Sequence, residues 1–234
     1  HEVVAIGDRA FENRTDLRTV MIPDSVTEMG GYAFNNCTNL SNVTLSKNLE
    51  SMGSSAFGNC DGLTQIEIPK SLDIGGNYYL GAFSDCANIK KVTFERGTTK
   101  IASSLFCGCT GIEKIDIPDT VTIIQDYAFK ECKNLSTVNI PESVTEIGSK
   151  AFYECISLSN VNIPDSVTKI GGYAFYQCKN LVNVILSKNL EKIDCNAFGN
   201  CDGLTQIEIP KSLDIGGDYY SGAFADCANL KKVT

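Results

Sequence analysis

Nine cysteines in this 234-residue chain recur at one relative position, three residues after a phenylalanine: Cys37, Cys60, Cys86, Cys109, Cys132, Cys155, Cys178, Cys201 and Cys227. Thiols in such number could form disulfides, ligate zinc or act as nucleophiles, and each option makes a geometric demand. A disulfide needs Cβ vectors that converge, whereas residues at one repeat position point the same way, and nine leaves one over. Zinc needs four converging ligands, whereas a repeat spreads its thiols along an axis, and the sole histidine is His1. The thiols therefore read as small buried hydrophobes. Two further cysteines lie off the pattern. Cys107 directly follows Phe106, and Cys195 stands three residues before Phe198, where other units carry Asp8, Ser103 or Asp126. Those are N-cap residue types, so Cys195 is expected at the start of a short helix, with a lowered pKa and raised reactivity.

The remaining chemistry is thin. Histidine-dependent acid–base or nucleophilic catalysis would rest on His1, and no G-x-G-x-x-G or P-loop pattern occurs. Carboxylates recur at turn positions such as Asp24, Asp119, Glu142 and Asp165, where they read as turn residues bonding their own backbone. The sequence predicts no enzyme, no cofactor and no metal.

What positions these residues is a repeat. Phe11, Phe34, Phe57, Phe83, Phe106, Phe129, Phe152, Phe175, Phe198 and Phe224 follow one another at 23 residues, except for steps of 26 into Phe83 and Phe224. The stretch AFGNCDGLTQIEIPKSLDIGG at 56–76 returns unchanged at 197–217, 141 residues on, a distance of five steps of 23 and one of 26. A block of six units has thus been duplicated on top of an older single-unit repeat. In LSNVNIPDSVTKIGGYAFYQCKN (158–180), Val161 and Ile163 alternate with Asn160 and Asn162, the period of a half-buried strand. Pro164-Asp165-Ser166 ends it with turn chemistry. Val167 and Ile170 point inward from a short return segment. Ala174, Phe175, Cys178 and Leu181 then have the spacing of a short amphipathic helix. One unit cannot bury its apolar side alone, so about ten of them must stack around a shared core.

The Leu-x-x-Val-x-Ile-Pro strand followed by Val-x-x-Ile-Gly-x-x-Ala-Phe-x-x-Cys closely resembles the BspA-like class of leucine-rich repeats, over essentially all 234 residues. The resemblance implies an α/β right-handed solenoid with a parallel sheet on one face. It also implies an extracellular or cell-surface setting and a role in adhesion or recognition of host, matrix or cell-surface proteins. Residues 1–234 read as one continuous solenoid, and because both ends fall in mid-unit, as a piece of a longer protein.

A net charge of −8 and a pI near 4.7 make nucleic acid and acidic lipid poor partners. No apolar run is long enough to insert in a membrane. The expected partner is a protein or a glycan, and two surfaces compete for it. One is the outward strip of the sheet, rich in amides and including Asn139, Asn160, Asn162 and Asn183. The other is the pair of three-residue insertions in the 26-residue units, carrying Tyr78, Tyr79, Tyr219 and Tyr220, since insertions in solenoids map to loops on one face. A structural spacer that projects other domains is the third reading.

Overall fold

The computed structural model describes residues 2–72, 80–213 and 222–234. Each unit lays one short strand beside the last: Thr19–Met21, Asn42–Thr44, Gln65–Ile68, Lys91–Phe94, Lys114–Asp116, Thr137–Asn139, Asn160–Asn162, Asn183–Ile185, Gln206–Ile207 and Lys232–Val233. All pairings among them are parallel and in register, with Val138 opposite Ile115 and Val184 opposite Val161. The three inserted residues leave that register intact, since Ile66 still faces Val92 and Ile207 still faces Val233. A second line of two-residue strands, from Ala5–Ile6 to Lys192–Ile193, runs along another side of the stack. The architecture is a parallel β-solenoid with a period of about 23 residues.

The short helix expected on the third side is absent among the described residues. The Ala-Phe segment is instead a run of tight turns whose amides alternate between two destinations. In the unit around Phe175, the N–H groups of Tyr173, Phe175 and Gln177 donate to Cys195, Ala197 and Gly199 of the next rung, at 3.0, 2.6 and 2.9 Å. Those of Ala174, Tyr176 and Cys178 bend back to Gly171, Tyr173 and Phe175 of their own turn, at 3.3, 3.1 and 3.3 Å. A helix would keep every amide at home. A segment this short is a poor isolated helix, and a neighbouring rung offers better acceptors. The chain reaches this geometry by placing non-glycine residues in the left-handed region, as at Tyr173 (φ 59°) and Gln177 (φ 58°). Such a residue costs about 1–2 kcal/mol, offset here by bonds between rungs. Cys195 accordingly has no helix to cap. It is exposed, and its carbonyl receives the Tyr173 amide.

The turn carboxylates differ from expectation in the same way. Asp24 and Asp165 accept the amides of Lys47 and Lys188, one unit later, at 3.0 and 2.9 Å. Asp8 and Asp126, the expected caps, accept from Gly31 and Ser149 at 2.7 Å each. Local side-chain bonding gives way to bonding between rungs because the next rung sits one strand spacing away.

Inside the stack the ten phenylalanine rings form one column, with neighbouring centroids 4.9 to 5.9 Å apart. From Phe57 to Phe198 these rings are fully buried, each contributing about 2–3 kcal/mol of transfer free energy. Beside them the repeated cysteines are buried, except for a half-buried Cys227, and are more than apolar filler. The Cys155 thiol donates to the carbonyl of Phe129 at 3.2 Å, and Cys132 and Cys178 do the same to Phe106 and Phe152 at 3.2 and 3.3 Å. The bond recurs at every one of the nine positions.

Burial pushes the thiols of Cys109, Cys132, Cys155 and Cys178 well above their ordinary value of 9.0, and those of Cys37 and Cys107 to about 11. The native state therefore holds its thiol protons where the unfolded chain has lost them. The stability they confer is complete below about pH 9 and erodes as pH rises from there towards the raised folded values. Urea unfolding should show a steep loss between about pH 9 and 11, with Cys155→Ala shallower by about one proton, or about 1.4 kcal/mol per pH unit. A slope unchanged in that variant would remove the thiol from the account. At neutral pH, Cys195 should react with a maleimide well before any repeat cysteine, as read by peptide mass spectrometry. Phe129→Ala should cost about 3–5 kcal/mol, more than the same change at the partly exposed Phe11.

Candidate recognition surface

Outward residues of the long strand face are held in rows by the register. Asn160 stands opposite Asn183 and Asn162 opposite Ile185, while Val161 and Val184 between them turn inward. The side chains within a row also bond: Asn183 Nδ2 donates to Asn160 Oδ1 at 2.7 Å, and Asn160 Nδ2 to Ser159 Oγ at 2.9 Å. The amides are thereby oriented before any ligand arrives.

The face is not flat. Its strands hydrogen-bond in pairs, and among the described residues no ladder joins Asn183–Ile185 to Gln206–Ile207. Across that seam lies a recess of about 560 Å³, lined by Asn160, Asn162, Asn183, Ile185, Gln206, Glu208 and Lys232 among others. Ile185 and Val182 bring apolar surface to it, 63% and 46% exposed. Six rungs earlier, at the equivalent seam, a smaller recess of about 170 Å³ is lined by Val43, Thr44, Lys47, Glu67 and Glu95. Glu95 there accepts the Lys70 amide at 3.0 Å, which holds its carboxyl below the usual carboxylate range.

Three of the expected site residues, Asn160, Asn162 and Asn183, are thus brought into one recess. Asn139 is exposed on the same face, in the strand before them, but does not line it. Tyr78, Tyr79, Tyr219 and Tyr220 lie outside the described residues. The sequence reading missed the weight of Ile185, although an isoleucine at an outward position among amides was a visible signal. It also missed an aromatic column on the turn side. There Tyr153 stacks on Tyr176 at 5.3 Å, and Lys150 Nζ lies 5.4, 5.9 and 5.6 Å from the rings of Tyr127, Tyr153 and Tyr173. Those tyrosines are half-buried, and each has another ring or the Lys150 ammonium against it. A Cβ added at Gly199 would come within 2.9 Å of the Tyr176 ring.

Among the described residues no group of three or more His, Cys, Asp or Glu is placed to hold a metal ion. Among the same residues there is no helix long and apolar enough to cross a membrane. The surface offers amides, one carboxylate, one ammonium and exposed aliphatic carbon, a set suited to binding.

Comparison with known proteins agrees with this architecture. The description of the BspA type leucine rich repeat region (6 copies) matches residues 4–132 and again 99–231. No curated protein matches the sequence. Among solved structures, a leucine-rich repeat protein from Bacteroides ovatus is similar over 100% of this chain and 76% of its own, at 24% identity and a TM-score of 0.59. One from Eubacterium ventriosum is similar over 99% and 70%, at 21% identity and 0.59. The pneumococcal vaccine antigen PcpA is similar over 91% and 60%, at 22% and 0.58. These likenesses concern the fold. With matches that together span nearly all of its length, the chain belongs to the BspA-type leucine-rich repeat family.

Proposed function

We propose that this protein is a non-enzymatic recognition module displayed at a cell surface, and that its long strand face binds an extended segment of a protein partner. The observation that carries this reading is the recess over Asn160, Asn162, Asn183, Ile185, Gln206, Glu208 and Lys232. Its oriented amides match the donors and acceptors of a peptide backbone. Its two opposite charges suit side chains of either sign, and Ile185 with Val182 offers exposed aliphatic contact. A sugar ring would be better served by an exposed aromatic face, and this recess has no aromatic lining. Family membership supports the surface setting, since such repeats belong mainly to surface proteins.

The tyrosines of the two insertions, Tyr78, Tyr79, Tyr219 and Tyr220, are the second contact we propose, because tyrosine gives large contact area at low entropic cost.

Immobilised protein exposed to extracellular-matrix and serum proteins should capture a partner saturably. Substituting Asn183, Ile185 and Glu208 together by alanine should weaken that capture by about tenfold or more, while Asn139→Ala leaves it within about twofold. Loss on Tyr→Ala at all four inserted positions, with the recess variant unaffected, would move the site to the loops. Binding on a glycan array that the recess variant abolishes would turn the reading to sugars. No capture by any form would leave a structural spacer.

A further inference from the structure

The residue that follows each strand's proline, or its equivalent, forms a column along one rim of the strand face, and its charges come in blocks. In order it reads Asp24, then Lys47, Lys70 and Arg96, then Asp119, Glu142 and Asp165, then Lys188 and Lys211. All nine are exposed. The six-unit duplication alone does not require this, because it only repeats whatever the block contains; the sign change every three rungs is a property of the block itself.

Like charges stacked on neighbouring rungs repel, and the chain offsets this in part, once where two blocks meet, at Asp165 and Lys188, and once inside a block, where Lys70 pairs with Glu95 beside the column. Lys188 Nζ lies 3.6 Å from Asp165, and Lys70 Nζ 3.4 Å from Glu95. Among the described ion pairs, Asp119 and Glu142 have no cationic partner. Such a column is best compensated by a surface with the same block length and opposite phase, and the protein carries one itself.

We infer that a second copy of this chain docks antiparallel along this rim, related by a two-fold axis that passes between the rungs of Arg96 and Asp119. That axis sets Arg96 against Asp119, Lys70 against Glu142, Lys47 against Asp165 and Asp24 against Lys188. Every pair is of opposite sign, and the symmetry makes each of them twice. Register is enforced as well. Shifting the axis onto the Asp119 rung places that carboxylate against its own copy and Lys47 against Lys188.

Eight rungs at about 4.8 Å give a contact about 38 Å long. With a width of about 10 Å it buries about 400 Å² a side, roughly half of a standard interface. The association is therefore weak and electrostatic. The net charge of −8 opposes it at low ionic strength. At about 0.15 M salt the Debye length of about 8 Å screens the bulk of each molecule from the other but not pairs in contact, and at about 1 M it screens both. This contact does not use the recess, so it stands or falls apart from the partner reading above.

The test is sedimentation velocity of the purified protein over a concentration series into the millimolar range. Wild type should associate reversibly to a dimer near physiological salt and dissociate at about 1 M. Two folded variants separate charge from everything else: Lys47→Glu/Lys70→Glu/Arg96→Glu, and Asp119→Lys/Glu142→Lys/Asp165→Lys. Each alone should lose self-association by about a hundredfold or more. Mixed one to one they should form a heterodimer, because all eight opposing pairs are then of opposite sign. Monomeric wild type throughout, variants that dimerise like wild type, or a mixture no more associated than its components would each overturn the inference.

Discussion

The structure depends on a bond from one rung's thiol to the previous rung's phenylalanine carbonyl, made beside the column of stacked rings. Cysteine suits that position for two physical reasons. It is small and apolar enough for a fully buried site, and it is still a weak donor that gives a second hydrogen bond to a carbonyl already bonded within its own turn, as Phe129 is to the Cys132 amide at 3.2 Å. Alanine would keep the bond within the turn and forfeit the one between rungs, and a larger polar side chain would not fit the narrow interior. The repeat of Cys155 to Phe129, Cys132 to Phe106 and so on clamps each rung to the one before it at the depth of the core.

From that constraint follows the dominance of contacts between neighbours. Alternate amides of the turn segment, the carboxylates of Asp24 and Asp165 and the side chain of Asn183 find partners one rung away rather than within their own turn. A stack governed by nearest neighbours can be lengthened by whole blocks without new contacts being invented. The bonds of Lys47 to Asp24 and Lys188 to Asp165 show one arrangement used twice. Insertions are tolerated where they leave the register alone, as the pairing of Ile66 with Val92 shows.

Because the interior is the same on every rung, what distinguishes this protein is written on its outer columns. The strand face varies from threonine and methionine at Thr19 and Met21, through asparagine and isoleucine at Asn183 and Ile185, to glutamine, glutamate and lysine at Gln206, Glu208 and Lys232. The rim carries charge in blocks, and the turn side carries a tyrosine column between the duplicated stretches. A property of such a surface belongs to several consecutive rungs at once, which is why recesses and charge blocks, rather than single residues, are its units of function.

The spacing of phenylalanine and cysteine was enough to establish stacking units, the inward and outward strand positions and the burial of the thiols, because apolar periodicity is a local property of the chain. Which outward asparagines share a recess was not legible. Asn160 and Asn183 meet through register, while Asn139, of the same type and on the same face, lies one strand outside the recess. The expected helix at Ala174–Cys178 and the expected cap at Cys195 failed for one reason. Apolar spacing in so short a segment fits a helical turn and a chain of left-handed turns equally well, and only the carbonyls of the adjacent rung decide between them. The sequence by itself determined the repeat, its core and its block duplication. The tertiary structure decided where each amide bonds and which surface groups converge, because both depend on a neighbour one strand spacing away in space and a full unit away along the chain.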